Sequence, residues 1–135
     1  MPGQEILVDA RLKEINFGVY EGKTSEELTE EERDNVHNWW SNPYVRKLEG
    51  GESMLCVNNR VKQWMDELPS QCEVAVFTHG GVIRNSVWEV VGRPLEGSWR
   101  LSVENTSITV IEYSADKSVI RKVNDSAHLE NLQTT

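Results

Sequence analysis

The chain of 135 residues has few cysteines, few basic residues and no long apolar segment, and each shortage excludes a class of protein. Two cysteines cannot form the disulfide framework of a small secreted domain. The 14 basic residues are outnumbered by 22 acidic ones, and the net charge of −8 argues against nucleic acid or an anionic membrane as a partner. No apolar run approaches the ~20 residues that cross a bilayer, and no charged-then-apolar signal segment opens the chain. We therefore expect one cytoplasmic domain, with no nucleic-acid and no membrane partner.

No Gly-x-Gly-x-x-Gly motif follows a predicted strand, which disfavours a dinucleotide-binding Rossmann domain. The chain does contain a histidine where a short apolar run meets two glycines. Residues 74–77 are too few for a helix and apolar on both faces, which predicts a buried, parallel strand. From Gly81 the apolar residues recur at helical spacing until Gly92 and Pro94, which predicts a helix.

His79 therefore falls at the carboxyl end of a predicted strand and just before a helix N-terminus. Open α/β sheets bind ligands at this position, and the free backbone N–H groups of a helix start favour anions. The pattern indicates a site for an anionic group, phosphate first, formed by His79, Gly80 and Gly81. The structural alternative is a histidine that only ends a strand, followed by a tight glycine connection. A second segment, residues 12–24, favours the functional interpretation because it gathers acidic residues, aromatics and two glycines in a compact loop.

The other segments are interpreted as scaffold. A Thr29-x-x-Glu32 capping box predicts an acidic helix over residues 30–40, with His37 on its surface. Ser53 is a good N-cap for a helix that runs to residue 68 with one continuous apolar stripe. Residues 106–113 and 119–123 are β-branched runs joined by a polar turn, which predicts a hairpin. Residues 93–97 are predicted to be a connecting loop.

Four motifs in this order resemble those of the histidine phosphatase superfamily, the phosphoglycerate-mutase-like enzymes, and in particular its small phosphatase branch. The acidic loop of that family, Leu-x-Glu-x-x-x-Gly-x-x-Glu-Gly, is matched by Leu12, Glu14, Gly18, Glu21 and Gly22. The remaining matches are a Gly-Glu-Ser helix start at Gly51, Glu52 and Ser53, a Thr-His-Gly-Gly motif at residues 78–81, and the closing segment at residues 124–129.

The resemblance also shows what the chain does not contain. Family enzymes open with a strand and an Arg-His-Gly motif whose histidine becomes phosphorylated, and a further arginine precedes the acidic loop. Neither is present here, and residues 5–9 already resemble the strand that leads into the acidic loop. The resemblance therefore implies a three-layer α/β/α sandwich that lacks the first strand-helix-strand segment. On this interpretation residues 1–135 are the C-terminal two-thirds of a histidine phosphatase domain.

By the residue-by-residue match, Glu14 is expected to be the proton donor and His79 to contact the phosphoryl group together with Gly80 and Gly81. The alternative for Glu14 is a solvated loop carboxylate. Glu21 and Glu52 are weaker candidates. The alternative role is to brace the loop for Glu21, and to favour the positive end of the following helix for Glu52. We expect no metal and no cofactor.

No other residue is a credible nucleophile. His37 lies on the predicted surface helix, and His128 lies in the polar tail with no glycine-rich turn around it. A cysteine-dependent phosphatase needs an arginine after five intervening residues, and Lys62 and Thr78 stand at that distance from Cys56 and Cys72. The chain is therefore expected to be inactive alone.

Two hypotheses remain open for the function. In the first, the chain is a fragment of a phosphomonoester phosphatase that works through a phosphohistidine. In the second, it is a natural non-catalytic protein that keeps a phosphate pocket or an interaction surface. The expected ligand is a small phosphorylated metabolite or inorganic phosphate. Without the central first strand of the family, the apolar run at residues 74–77 would have unpaired backbone groups, so we also expect a homo-oligomer.

Overall fold

A computed structural model describes residues 3, 5–92 and 100–132 of the chain. In chain order the described elements are α1 (Glu30–Ser41), α2 (Met54–Asp66), α3 (Gly80–Val91), β1 (Ile108–Glu112) and β2 (Val119–Asp125). Short 3-10 turns lie at Ala10–Leu12, Gly18–Tyr20 and Ala127–Leu132. The protein is an α/β fold with three helices and a two-stranded sheet among these residues, and none of the described helices is long and apolar enough to cross a membrane.

The first helix, α1, begins where its capping signal predicts. Thr29 Oγ1 accepts a hydrogen bond from Glu32 N, and the Glu32 carboxylate accepts one from Thr29 N at 2.8 Å, so the capping box is confirmed. Of the apolar residues on this helix only Trp39 is buried, where its ring meets Phe17 edge-on at a centroid distance of 5.5 Å. His37 is exposed, as expected of a surface residue.

The second helix, α2, supplies much of the core. Ser53 caps it by accepting a hydrogen bond from Cys56 N at 3.3 Å, which confirms the predicted start. Its apolar stripe packs against α3 and against loop residues, and the buried hydrophobic cluster consists of Ile15, Trp39, Leu48, Met54, Val57, Val61, Met65 and Val82. The core thus lies between the helices and the loop that follows Ala10–Leu12.

The third helix, α3, starts one residue earlier than predicted and ends at Val91. The next residue, Gly92, caps it with φ of 67°, the left-handed conformation that glycine adopts readily. Pro94 and the predicted loop at residues 93–97 lie outside the described residues. The predicted hairpin is confirmed: β1 and β2 pair antiparallel, with Ile111 opposite Ile120 and Glu112 opposite Val119.

The predicted buried strand at residues 74–77 is wrong for this structure. The segment is not a strand, and Phe77 is 96% exposed. Residues 5–9, expected to resemble a strand, are equally irregular, with Val8 94% exposed. A strand exists only where a neighbour completes its hydrogen-bond ladder, and the sheet of the described residues contains only β1 and β2.

Candidate active site

The candidate site lies where the segment of residues 72–79 meets the N-terminus of α3. His79 is the N-cap of α3, with extended backbone at φ −118° and ψ 164°. Its imidazole makes no capping hydrogen bond to the described residues, and the residue is exposed. The ring is therefore presented to solvent beside the first N–H groups of a 12-residue helix.

Glu14 comes to the same place from the acidic loop. Its Oε2 accepts a hydrogen bond from Gly81 N at 3.2 Å, and its Oε1 accepts one from Ile15 N at 3.0 Å. The contact with Gly81 leaves no room for a side chain there, because a Cβ on Gly81 would lie 2.1 Å from Glu14 Oε1. The structure thus places the carboxylate of Glu14 against the N-terminus of the helix that His79 caps.

A second hydrogen bond joins the same two segments. Thr78 Oγ1 donates to the carbonyl oxygen of Leu12 at 2.7 Å. Two residues of the acidic loop, Leu12 and Glu14, are therefore tied to two residues of the Thr-His-Gly-Gly motif, Thr78 and Gly81. In this arrangement the N–H of Gly81, one of the expected phosphate donors, donates to Glu14.

The acidic loop depends on one close backbone approach and on one side-chain hydrogen bond. Gly18 has φ of 62°, and a Cβ there would lie 1.9 Å from the carbonyl oxygen of Glu49. Glu21 Oε1 accepts a hydrogen bond from Phe17 N at 2.8 Å, which is the bracing role considered for it. Glu21 therefore closes the turn that follows Glu14.

Glu52 forms an ion pair with Arg60 at the start of α2. Partial burial raises the pKa of Glu52, but hydrogen bonds from the Arg60 side chain and from Asn16 N outweigh that effect, so the pKa lies below its ordinary value. The Arg60 side chain donates to both carboxylate oxygens, at 2.9 and 3.0 Å. The sequence analysis did not single out Arg60. An arginine that falls beside Val57 and Val61 on an apolar helix stripe was the signal that could have identified it.

The alternative nucleophiles lie elsewhere. His128 is exposed in the turn after β2, and Cys72 is exposed in the loop after α2. A hydrogen bond from Ser53 lowers the pKa of the Cys56 thiol, which lies in the first turn of α2.

Among the described residues no three His, Cys, Asp or Glu side chains are gathered as a metal ion would need. A cavity of about 370 Å³ beside α1 is lined by residues that do not include Glu14 or His79.

A family model described as "Histidine phosphatase superfamily (branch 1)" matches residues 2–126. The chain belongs to this superfamily. A relative from Hydrogenobacter thermophilus, named "Putative phosphoserine phosphatase 2", is 33% identical over 134 residues, which are 98% of this chain and 66% of the relative.

Solved structures show the same fold. Bacillus stearothermophilus YhfR superposes with a TM-score of 0.79 at 27% identity, covering 90% of this chain and 62% of its own. A phosphoserine phosphatase variant from Entamoeba histolytica, solved in complex with phosphoserine, superposes with a TM-score of 0.75 at 24% identity, covering 94% of this chain and 66% of its own. The chain thus spans slightly less than two thirds of the length of these proteins.

Proposed function

We propose that the chain is part of a phosphomonoester phosphatase that works through a phosphohistidine, with Glu14 as proton donor and His79, Gly80 and Gly81 as the phosphate-binding segment. The observation that carries this proposal is the hydrogen bond from Gly81 N to the Glu14 carboxylate, next to the exposed imidazole of His79. It brings an acid and phosphate-binding groups to one helix N-terminus.

The chemistry assigns each group a step. A histidine nitrogen attacks phosphorus, the bond from phosphorus to the ester oxygen breaks, and a proton from Glu14 goes to the departing oxygen. His79 and the N-terminus of α3 stabilise the negative charge of the transferred phosphoryl group. Water then attacks the phosphohistidine, the bond from phosphorus to the histidine nitrogen breaks, and the proton that water loses returns to Glu14, which releases inorganic phosphate. Each oxygen of the Glu14 carboxyl group already accepts one N–H, so the proton for the ester oxygen is carried on the remaining lone-pair side of one of them.

The nucleophile of this scheme is not among the three histidines of the chain, since none follows an arginine in an Arg-His-Gly motif. We propose a three-layer α/β/α sandwich as the complete fold, with residues 1–135 forming its C-terminal two-thirds without the first strand-helix-strand segment. The exposed segments at residues 5–9 and 72–79 support this, because they carry apolar side chains and form no strand in the described part of the chain, which suits strands whose neighbours lie in that segment. The chain alone is then inactive.

The substrate proposed first is a small phosphorylated metabolite, with phosphoserine as the initial candidate because it appears in the names of two of the compared proteins. Both cysteines are free, which suits a cytoplasmic enzyme. We further propose that the isolated chain forms a homo-oligomer through its exposed apolar segments.

The test is turnover of an aryl phosphate and of phosphoserine by the purified chain, with and without a strand-helix-strand segment that carries Arg-His-Gly and comes from a phosphatase of the same superfamily. We expect background rates from each component and turnover from the mixture, with a large loss in His79→Ala. Turnover by the chain alone that disappears in His79→Ala would contradict the proposal.

The second candidate function is non-catalytic phosphate binding. It is favoured by the same helix N-terminus, which suits an anion whether or not a nucleophile is present. Two results together would select this function. The chain would bind phosphate in calorimetry, and its mixture with the strand-helix-strand segment would assemble but remain inactive.

A further inference from the structure

The guanidinium of Arg60 lies between α2 and the acidic loop and touches the backbone of the proposed proton donor. Its side chain is only 17% exposed. Nη2 donates to the carbonyl oxygen of Glu14 at 3.2 Å, and Nη1 donates to the carbonyl oxygen of Arg11. One side chain thus binds the main chain of Glu14 and the main chain three residues before it.

The other contacts of Arg60 act on the backbone that follows Glu14. Nε and Nη2 donate to the two carboxylate oxygens of Glu52 at 2.9 and 3.0 Å. Glu52 in turn accepts a hydrogen bond from Asn16 N at 3.0 Å and donates its own N–H to Asn16 O at 2.8 Å. The backbone is therefore anchored at residues 11, 14 and 16, with Glu14 in the middle.

We infer that Arg60 is a positioning residue for Glu14: through Glu52 and two backbone carbonyls it holds the loop so that the Glu14 carboxylate meets Gly81 N. The role assigned to Glu14 rests on the proposed function, whereas the placement of Glu14 by Arg60 does not. Only arginine fits this position. Its planar guanidinium reaches four acceptor oxygens, the two of the Glu52 carboxylate and the carbonyl oxygens of Arg11 and Glu14, and the ammonium group of a lysine lacks that geometry.

The contacts distinguish positioning from general stabilisation. Arg121 makes an equally short bidentate pair with Glu112, both bonds at 2.8 Å, but this pair joins the two strands of the hairpin and is more than half exposed. Arg121→Lys is therefore a matched control that removes the same chemistry from a place without contact to the acidic loop.

The experiment follows the Gly81 amide by NMR in the purified chain, which requires no turnover. In the unaltered chain, the Gly81 amide proton should show the downfield shift of an N–H that donates to a carboxylate, and Glu14→Gln should reduce that shift. We expect Arg60→Lys to reduce the shift and to speed hydrogen exchange of the Gly81 amide on the order of tenfold, as for loss of a hydrogen bond to a charged group. Arg121→Lys should leave both signals unchanged.

A Gly81 amide in Arg60→Lys that has the same chemical shift and the same exchange rate as in the unaltered chain would overturn the inference, even if the variant melts at a lower temperature. If Arg60→Lys does not fold, Glu52→Gln is the deciding variant, because it weakens the same hydrogen bonds with a smaller change. We expect a smaller change of the same sign in the shift and exchange rate of the Gly81 amide. No change in either signal would refute the positioning role. Reconstituted turnover is a separate readout: its failure would count against the proposed function and leave the NMR result standing.

Discussion

The carboxylate of Glu14 accepts a hydrogen bond from Gly81 N at 3.2 Å, across 67 positions of the chain. This bond joins the acidic loop to the start of α3. We expect a competition there if phosphate binds as proposed, because Gly81 N, one of the proposed phosphate donors, already donates to Glu14.

The first prediction uses the space beside Gly81. Gly81→Ala should displace the Glu14 carboxylate, because the new Cβ would lie 2.1 Å from Oε1. Gly80→Ala is the control, since its Cβ would meet the end of the flexible Arg84 side chain at 2.9 Å. We expect the NMR signals of Ile15 and the acidic loop to move in Gly81→Ala and to stay nearly unchanged in Gly80→Ala. Equal changes in both variants would argue against a specific contact.

The second prediction concerns binding of inorganic phosphate to the chain. Glu14→Gln removes a negative charge beside the helix N-terminus and should tighten binding roughly three- to tenfold, the scale of one screened charge interaction at this distance. His79→Ala should weaken it. Calorimetric titration near pH 6 measures both, with Glu21→Gln as the control for loss of a loop carboxylate outside the contact with α3. Weaker binding in Glu14→Gln would show that phosphate does not enter this site.

The helices could be predicted from the sequence because their signals are local. The Thr29 and Glu32 capping box, the Ser53 cap and the left-handed Gly92 each act within a turn of the element they begin or end. The predicted strand at residues 74–77 failed for the opposite reason. Its apolar residues show that it suits a buried sheet, but whether it forms a strand depends on a second segment that supplies hydrogen bonds.

The sequence predicted which residues are candidates for the site but not how they contact one another. The resemblance selected Glu14 and His79, and the structure brings Glu14 to the helix that His79 caps. No local pattern could show that Gly81 N donates to Glu14, because the two residues are distant in sequence. Arg60 was missed because its helix was interpreted as scaffold, and its acceptors include backbone carbonyls that any sequence possesses.

The third prediction separates two glycines with positive φ in the acidic loop. Gly18→Ala should destabilise the chain by roughly 3 kcal/mol, since strain in the left-handed region adds to a clash with the Glu49 carbonyl. Gly22→Ala shares the conformation, with φ of 73°, but has open space around the new Cβ, so about 1 kcal/mol is expected. Denaturant unfolding of both variants measures the difference. Equal losses would mean that the close approach of the loop to Glu49 does not form.

The fourth prediction is a pH dependence of stability. The pKa of Glu52 is lower in the folded chain than its ordinary value, despite the partial burial that raises it, because Arg60 and Asn16 N donate to the carboxylate. A lowered folded pKa stabilises the fold above the unfolded pKa of about 4.3, and this contribution is lost as the pH falls through the folded value. Glu52→Gln should therefore be less stable than the unaltered chain at pH 7. The difference should shrink below about pH 4, and a constant difference down to pH 3 would contradict the assignment.

The fifth prediction concerns association through the exposed segments. Phe77 is 96% exposed, and Ile6 and Val8 are 89% and 94% exposed, in segments that form no strand among the described residues. Such segments pair with strands of another molecule and bury their apolar side chains. Sedimentation at micromolar concentration should show dimers or larger species. Because each chain carries a net charge of −8, added salt should strengthen the association by screening the repulsion between copies.

Aspartate substitutions locate the surface that associates. Phe77→Asp and Val8→Asp should each shift the chain toward monomer, because a charge in a pairing segment opposes burial. Val45→Asp is the matched control, since Val45 is 54% exposed after α1 and outside both segments. Adding the strand-helix-strand segment that restores turnover should also produce monomers, because it would occupy the same backbone groups. A compact monomer of the unaltered chain with a cooperative melt would show that residues 5–9 and 72–79 do not drive association.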